Sequence, residues 1–335
     1  MHILVYEFLT GGGRNGSPAA PLIEEGERMV LALVQDLLSL PEHRVTLMRD
    51  ARLCPCPIND ARLNMIWVQP AEEPKTALKN ALEGVEAVWP IAPETDGCLA
   101  AICHLIETEG KCLLTTATEG VLIATSKGET LSRLEQHGVN IVPTQTLERC
   151  DQKTPWDYPC VFKIDDGVGC EDTIIIHGPD DLRRFWEKQD PRTWLAQPLL
   201  KGDVLSLSGI FCQGEGRLLC CNQQNIRQSQ EGFTLLGLTV NGRSDPEGTF
   251  KALLTRVAHA MPWLWGFAGV DLILGPEGPL VLEINPRLTS AYPGIHRATG
   301  LNPAGLVLDL AQNRQLPFFS EPLPGSPVTI DWSVH

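Results

Sequence analysis

The stretch that most constrains the fold covers residues 267–290 and reads F-A-G-V-D-L-I-L-G-P-E-G-P-L-V-L-E-I-N-P-R-L-T-S. Its pattern predicts two apolar strands, over residues 268–274 and 280–284, joined by the turn signal G-P-E-G. A loop of three or four residues there places Asp271 opposite Glu283 or one position away from it. Two carboxylates that face each other on a half-buried hairpin repel, so the pairing is destabilised unless a cation lies between them.

A third oxygen ligand extends this pair. Asn285 lies two residues after Glu283 and therefore points to the same face of the strand. Three hard oxygen ligands on one face suit magnesium, whose remaining positions are filled by water and phosphate oxygens. Arg287 follows at once and is a planar donor for phosphate or carboxylate. The alternative is a solvated hairpin with ordinary surface charges, which the apolar neighbours of these residues disfavour.

Composition limits the class of protein. A chain of 335 residues with 43% hydrophobic and 20% charged residues is typical of a globular protein with two or three domains. The formal net charge of -14 disfavours binding to nucleic acid or to an anionic membrane, because both require a positive surface. No apolar run approaches the roughly 20 residues that span a bilayer. The start M-H-I-L-V-Y has no basic lead or small-residue cleavage site, so we expect a cytoplasmic protein.

The first third of the chain alternates short strands with helices. The predicted strands cover residues 3–6, 45–48, 65–68, 85–90 and 112–115, and the predicted helices cover residues 24–40, 75–82 and 97–109. This alternation predicts a parallel, doubly wound sheet of about 115 residues. Ligands of such sheets bind beyond the carboxyl ends of the strands.

Two segments carry candidate substrate residues at that edge. The run 11–13 follows the first strand, so Gly12 and Gly13 are candidates for an anion-binding or ligand-binding loop, although the run lacks the spacing of a dinucleotide or P-loop motif. The segment P-E-T-D follows the fourth strand, and Glu94 or Asp96 is a candidate to hold a substrate ammonium. The alternative for Thr95 and Asp96 is to cap the helix that follows.

The middle of the chain contains two lysines of interest. Lys127 lies near the start of a predicted helix, where a lysine is more often an ordinary surface residue. Lys163 lies inside the apolar strand V-F-K-I, and an interior lysine is seldom tolerated without an anionic partner. The segment 165–172 follows it and includes Gly167, Val168 and Gly169. Its backbone amides suit phosphates, and the alternative is an ordinary hairpin turn.

The segment Q-P-L-L-K-G-D then joins two predicted strands. At such a junction the carbonyl of Gln197 and the amide of Leu199 are free to pair with an adenine edge. Asp203 is within reach of a ribose hydroxyl in the same arrangement.

Taken in order, these motifs resemble the ATP-grasp superfamily. The resemblance implies a mixed α/β and α+β fold, with a Rossmann-like pre-grasp domain (1–116), two α+β lobes that enclose ATP (117–196 and 197–316) and a C-terminal tail (317–335). The pieces Y-E-F-L-T-G-G-G, A-P-E-T-D-G, D-G-V-G-C-E and E-I-N-P-R-L-T-S look most like the tyramine–glutamate ligase group of methanofuran and methylofuran biosynthesis.

The resemblance also implies roles for the singled-out residues. Lys127 and Lys163 would contact ATP phosphates, and the loop from Gly167 to Cys170 would cover them. Gln197 and Leu199 would bind adenine through the backbone. One or two magnesium ions, with manganese as an alternative, would be held by Asp271, Glu283 and Asn285. Arg287 would stabilise the transferred phosphoryl group. One departure concerns Asp203: many relatives have a glutamate at or after this position, and here Val204 follows it.

The resulting expectation is an ATP-dependent and magnesium-dependent ligase acting on small molecules, which joins the γ-carboxylate of glutamate to an aromatic amine such as tyramine or tyrosine. The alternatives are an ATP-grasp ligase for another pair, including a polyglutamylating enzyme, a small-molecule kinase, and a non-catalytic ATP-binding protein. Whether the protein forms a homo-oligomer is left open, and the sequence offers Glu94 only as a candidate for the general base.

Overall fold

A computed structural model describes residues 1–14, 20–148, 153–169, 172–188, 190–319 and 326–332. These residues form three β-sheets with helices packed against them. One sheet is parallel and two are antiparallel, so both the α/β and the α+β parts of the predicted fold are present.

The parallel sheet forms the N-terminal part of the chain. Its strands are β1 (His2–Glu7), β2 (Arg44–Asp50), β3 (Leu63–Val68), β4 (Ala87–Ile91) and β5 (Cys112–Leu113), in the order β3-β2-β1-β4-β5. Its helices are α1 (Ala20–Leu38), α2 (Pro74–Ala81) and α3 (Cys98–Thr108). The apolar run of β1 is buried on both faces: Ile3 and Val5 pack toward α1, and Leu4 and Tyr6 pack toward α2 and α3. The predicted doubly wound sheet is confirmed.

The order of these strands creates a switch point. From β1 the chain continues to β2 on one side, whereas β4 pairs with β1 on the other side, with Glu7 opposite Ile91. The segments that follow β1 and β4 therefore lie next to each other at the carboxyl edge, which is where open α/β sheets bind ligands.

The second sheet is small and antiparallel. Helices α4 (Thr118–Thr125) and α5 (Lys127–Gln136) precede its strands β6 (Gln145–Thr146), β7 (Cys160–Ile164), β8 (Ile174–Ile176) and β9 (Trp194–Pro198), and α6 (Pro179–Glu187) lies between the last two. The order is β6-β9-β7-β8, so β7 is a central strand. This position explains why the lysine of β7 is buried.

The third sheet has six strands and forms the C-terminal part of the chain. Its strands are β10 (Asp203–Cys212), β11 (Glu215–Gln228), β12 (Phe233–Arg243), β13 (Gly266–Gly275), β14 (Gly278–Asn285) and β15 (Val328–Asp331), in the order β14-β13-β10-β11-β12-β15. Its helices are α7 (Thr249–Ala260), α8 (Tyr292–Thr299) and α9 (Pro303–Asn313). The apolar face of α7 packs on this sheet through Phe250, Leu253, Leu254 and Val257.

The C-terminal part of the chain differs from the prediction. The predicted tail (317–335) contributes β15, which pairs with β12. Local sequence misses this strand because its hydrogen-bond partner is distant in the chain.

Among the described residues, no helix combines the length and the apolar character that crossing a bilayer requires.

Candidate active site

The hairpin of β13 and β14 brings the three predicted oxygen ligands together. Gly275 pairs with Gly278, so the loop contains two residues rather than the expected three or four. Asp271 is directly opposite Glu283, and the register shifts immediately after Asp271. Asn285 lies on the same face, because its Nδ2 donates to Asp271 Oδ2 at 3.1 Å.

The surroundings of the two carboxylates differ. Burial, together with the charge of Glu283, raises the pKa of Asp271. Burial works in the same direction at Glu283, but the charges of Lys127 and Lys163 outweigh it and hold the pKa of Glu283 below its usual value. The cationic groups therefore compensate Glu283 more than Asp271.

Lys127 is the first residue of α5. The helix begins there because the Ser126 hydroxyl accepts a hydrogen bond from the amide of Glu129 at 3.1 Å. The buried ammonium of Lys127 lies 3.4 Å from Glu283 Oε2. It also donates to the carbonyl of Gly167, and to that of Asp165 at 3.4 Å. An ammonium held between a carboxylate and a glycine loop is well placed for a phosphate oxygen.

Lys163 lies in the middle of β7 and is 7% exposed. Burial lowers its pKa to about 8, against the opposing charge of Glu283. The charges of Asp271 and Asp165 also act on it. The negative charges of these carboxylates thus offset part of the cost of burying the Lys163 ammonium.

The loop after β7 connects the two lysines to the N-terminal sheet. Asp165 accepts hydrogen bonds from the backbone of α5, through the amide of Lys127 at 3.2 Å and the amide of Gly128 at 2.8 Å. The backbone carbonyl of Asp166 accepts from the Thr95 hydroxyl at 3.1 Å, and its carboxylate accepts from the Asp96 amide at 3.1 Å.

The described part of this loop includes Gly167, Val168 and Gly169. Cys170 and Glu171, which belong to the predicted phosphate-covering segment, lie outside the described residues.

The segment after β4 does not cap its helix with side chains. Gly97 occupies the N-cap of α3 without a side-chain hydrogen bond, so the capping alternative for Thr95 and Asp96 is wrong. Asp96 adopts φ 56° and exposes its carboxylate, while its amide is directed to Asp166. The hydrogen bonds to Asp166 in the loop after β7 hold this segment in its position.

Arg287 contacts the N-terminal sheet directly. Its Nε and Nη2 lie 2.9 and 2.8 Å from Glu94 Oε2, and both side chains are largely buried. The Ser290 hydroxyl donates to Glu25 of α1. These contacts bring the segment after β14 against the switch point of the parallel sheet.

The glycine run after β1 forms a tight turn. The amide of Gly11 donates to the carbonyl of Glu7 at 2.7 Å, and that of Gly13 donates to the carbonyl of Phe8 at 2.8 Å. Gly12 has φ +80° and packs so closely on Val68 that a Cβ atom would lie 2.8 Å from it. The amides of Gly11 and Gly13 are therefore used within the turn, and the close packing on Val68 explains the glycine at position 12. A substrate contact for Gly12 and Gly13 stays a prediction.

The predicted nucleotide residues lie at the junction of the two antiparallel sheets. Gln197 is buried in β9, where it pairs with Val161, and its Nε2 donates to the Thr144 hydroxyl at 2.8 Å. Leu199 follows the end of β9. Asp203 begins β10, is half exposed, and lies 3.3 Å from Arg243. The carboxylate of Asp203 therefore already has a cationic partner.

Sequence analysis missed Gln224 as a site residue. Its Nε2 donates to Asp271 Oδ1 at 3.0 Å. The available signal was the run of four polar residues at 222–225, which lies within β11.

The hairpin presents two carboxylates and one amide group as candidate metal ligands. Within the described ranges, no group of three or more His, Cys, Asp or Glu side chains is arranged for a metal. The third oxygen ligand here is the amide of Asn285, which lies against Asp271. Two facing buried carboxylates and an amide oxygen are hard ligands, and a divalent cation would relieve the repulsion that raises the pKa of Asp271. The residues present therefore fit magnesium.

Two family models match most of this chain. A family model described as "ATP-grasp domain" matches residues 124–291, which is half of the chain, and one described as "pre ATP-grasp 3 domain" matches residues 43–121. The chain is 24% identical to tyramine–L-glutamate ligase from Methanocaldococcus jannaschii, over 98% of this chain and 94% of that protein.

Solved structures share the fold. An ATP-grasp superfamily protein from Archaeoglobus fulgidus has a TM-score of 0.69 at 19% identity, covering 99% of this chain and all of that one. L-amino acid ligase from Bacillus licheniformis has a TM-score of 0.66 at 16% identity, covering 93% of this chain and 74% of that one. Because the model of the ATP-grasp domain matches half of its length, the chain belongs to the ATP-grasp family.

Proposed function

We propose that the protein is an ATP-dependent and magnesium-dependent ligase that joins a carboxylate to an amine through an acyl phosphate. The observation that carries the proposal is the convergence of Lys127 and Lys163 on a hairpin bearing Asp271, Glu283 and Asn285. Cations and hard oxygen ligands in one buried place suit a polyphosphate with its metal.

The chemistry requires activation of the carboxylate. A carboxylate is a poor electrophile for an amine at neutral pH, so the γ-phosphoryl group of ATP is first transferred to it. Attack by the amine on the carbonyl carbon then breaks the bond to the phosphoryl oxygen and releases phosphate. Phosphoryl transfer needs positioning and charge neutralisation more than a strong base.

The residues of this chain supply those two requirements in the proposal. Lys127 and Lys163 bind phosphate oxygens, and Arg287 neutralises the charge that develops on the transferred group. The amides around Gly167, Val168 and Gly169 cover the phosphates and exclude water from the acyl phosphate. Magnesium, when bound by Asp271, Glu283 and Asn285, supplies charge neutralisation on the phosphates.

The nucleotide base is proposed to lie at the junction of β9 and β10, against the carbonyl of Gln197 and the amide of Leu199. A ribose contact with Asp203 competes with the ion pair to Arg243, so we expect it to contribute little to ATP binding.

For the substrates we propose the γ-carboxylate of glutamate and an aromatic amine such as tyramine or tyrosine, as in methanofuran or methylofuran biosynthesis. The support is the similarity to tyramine–L-glutamate ligase along nearly the whole chain. Both substrates would enter at the carboxyl edge of the parallel sheet, next to Arg287.

The test is an assay of purified protein with ATP, magnesium, glutamate and each amine in turn, in which ADP and amide products are measured. We expect ADP and one amide in equal amounts with an aromatic amine. The absence of an amide with every aromatic amine would contradict the proposed pair. A wider scan of acids and amines would then identify another ligase substrate pair.

A second ligase substrate pair is favoured by one comparison, because the fold is shared with an L-amino acid ligase. Amide formation between two amino acids would support that alternative. A phosphorylated product without an amide would instead indicate a kinase, and ATP binding without ADP release would indicate a non-catalytic protein.

A further inference from the structure

Glu94 carries a buried carboxylate oxygen that the described residues leave without a hydrogen-bond donor. Its side chain is 6% exposed. Oε2 lies 2.9 Å from Arg287 Nε and 2.8 Å from Nη2, whereas Oε1 has no partner among the described residues. A buried carboxylate oxygen without a donor destabilises the fold. A donor from a bound ligand would remove that cost.

This oxygen lies where the two halves of the site meet. Glu94 follows β4 at the switch point of the parallel sheet, and its partner Arg287 follows the hairpin that carries Asn285. A group bound at Oε1 would therefore lie beside the guanidinium that faces the phosphoryl-transfer site.

The charges around Glu94 favour a cationic ligand. The negative charges of Glu94, Glu25 and Glu283 act on Arg287. Those of Glu7, Asp96 and Glu94 act on Cys98, the first residue of α3. Several acidic side chains thus share this edge with the guanidinium of Arg287. A carboxylate placed at Oε1 itself would be repelled by Glu94, and a hydroxyl would satisfy Oε1 without compensating the surplus negative charge. An ammonium does both, through a charge-assisted hydrogen bond.

We propose that Glu94 Oε1 accepts a hydrogen bond from a primary ammonium group of a substrate and so positions that substrate beside Arg287. The inference rests on the proposed function and deepens it, because it assigns the ionic form that the site recognises. This ammonium belongs to one of two substrates. It is either the ammonium of the amine substrate or the α-ammonium of the amino acid whose side-chain carboxylate is activated. Glu94 acts here as a binding residue, and the ion pair with Arg287 is retained.

The experiment measures binding by calorimetry, with tyramine and L-glutamate as separate probes and a non-hydrolysable ATP analogue with magnesium present. The amide of Glu94→Gln has two possible orientations. Its NH2 group either takes the place of the acceptor Oε1 or faces Arg287, where it weakens the pair with the guanidinium. We expect the Kd of one probe to rise about tenfold or more, which is typical of a lost hydrogen bond to a charged group. The Kd of the ATP analogue should stay unchanged. The probe that is affected identifies the source of the ammonium.

Two further variants keep the test decisive. Glu94→Asp retains the charge and can retain the pair with Arg287, but it withdraws the free oxygen by one methylene, so it should fold and still lose affinity for the probe. Glu83→Gln changes an exposed glutamate of the same domain and should leave all affinities unchanged.

Analogues that lack the ammonium give a second readout. Tyrosol replaces the ammonium of tyramine by a hydroxyl, and 2-hydroxyglutarate does the same for glutamate. The wild-type protein should prefer the ammonium form, and Glu94→Gln should lose that preference. Equal affinity of the folded Glu94 variants and the wild type for both probes would overturn the proposal, as would wild-type protein that binds neither probe.

The outcome is separable from that of the proposed function. ADP release by the wild-type protein, with unchanged probe affinity in Glu94→Gln, would contradict the ammonium site alone. Weakened probe binding in Glu94→Gln without ADP release by the wild type would support the ammonium site and contradict the ligase.

Discussion

At Asp271 and Glu283 the hairpin holds two carboxylates face to face, and their neighbours determine how each is compensated. The two lysine charges act on Glu283, whereas Asp271 accepts hydrogen bonds from the amide groups of Gln224 and Asn285. Glu283 thus has charged partners, whereas Asp271 has neutral hydrogen-bond donors. Removal of either carboxylate would leave different neighbours unpaired.

Replacement of Glu283 by glutamine should abolish ADP formation and leave the fold intact. The substitution keeps the shape of the side chain but removes the charge that compensates Lys127 and that we propose to bind magnesium. We expect a loss of at least about 100-fold in kcat for ADP release, in the range of an essential electrostatic group. Glu277→Gln, in the exposed turn of the same hairpin, is the matched control and should be fully active. A fully active Glu283→Gln would refute the role of Glu283.

Replacement of Gln224 by alanine should weaken the binding of magnesium and ATP. Gln224 contacts Asp271 rather than a phosphate, so its loss frees Asp271 Oδ1 to move. Loss of such a supporting hydrogen bond typically lowers metal affinity or activity by about 10-fold to 100-fold. The measurement is ADP release as a function of magnesium concentration. Asn225→Ala, on the opposite, exposed face of β11, is the control, and an equal effect of both substitutions would contradict a specific role for Gln224.

Among the elements, the loop after β7 connects helix α5 with the N-terminal sheet. Its backbone accepts hydrogen bonds from the ammonium of Lys127 on one side and from Thr95 on the other. One short loop therefore joins Lys127, which we propose to bind phosphate, to the segment after β4, which we propose to bind substrate. We expect a substitution at either place to alter the position of the other.

Replacement of Asp166 by alanine should raise the KM for ATP. The variant loses the hydrogen bond from the Asp96 amide to the Asp166 carboxylate, which helps to hold the loop in place. The loss of one such bond corresponds to about a fivefold effect. Asp166→Asn keeps an acceptor oxygen and should stay close to the wild type in initial-rate measurements. Equal KM values for wild type and Asp166→Ala would show that the contact does not position the loop.

Helices α1 and α8 are joined by a buried aspartate. Asp36 accepts from the Tyr292 hydroxyl at 2.9 Å and lies 2.6 Å from His296 Nδ1. Burial raises the pKa of Asp36 in spite of these contacts. A carboxyl whose pKa is raised by folding favours the folded state below its unfolded pKa, and this contribution is lost as the pH rises through the folded pKa.

The stability difference between wild type and Asp36→Asn should therefore depend on pH. Asparagine keeps an oxygen acceptor but does not titrate, so the wild type should lose stability relative to the variant as the pH rises above the usual pKa of an aspartate. The measurement is the free energy of unfolding in urea at a series of pH values. Asp309→Asn, an exposed aspartate of α9, is the control. A constant difference between wild type and Asp36→Asn would contradict the raised pKa.

In the whole molecule, one apolar core joins the N-terminal sheet to the six-stranded sheet. It includes Val34 of α1, Trp89 of β4, Ile295 of α8 and Val328 of β15. The segment after β14 and the switch point therefore belong to one packed unit, which holds Arg287 against Glu94. The C-terminal strand contributes to this unit although it is far from the site in sequence.

Replacement of Val328 by alanine should lower the stability of the whole protein. Val328 is 7% exposed, so the loss of its two methyl groups should cost about 2 kcal/mol. Thr329→Ala, at the exposed neighbouring position, should have little effect. The two variants are compared by thermal unfolding, and equal Tm values would show that β15 does not contribute to the core.

Local sequence was sufficient for much of the fold. The apolar runs of β1, β2 and β4 and the stripe of α1 predict the parallel sheet, because burial on both faces requires continuous apolar strands. The turn signal and the alternation around Asp271 and Glu283 likewise predict the hairpin and its opposed carboxylates. These features depend on residues that are only a few positions apart in the chain, so the periodicity of the sequence is enough to predict them.

Other features depended on contacts between distant residues. The pair of Glu94 with Arg287, the hydrogen bond of Gln224 to Asp271, and the pairing of β15 with β12 each join segments whose local patterns are ordinary. The sequence by itself determined which residues carry the groups that we propose to bind phosphate and metal, because residue type and strand alternation set their chemistry and their face. Only the tertiary structure decided which partners they meet and which oxygen of Glu94 lacks a donor among the described residues. The reason is that three-dimensional packing, not distance along the chain, brings these groups together.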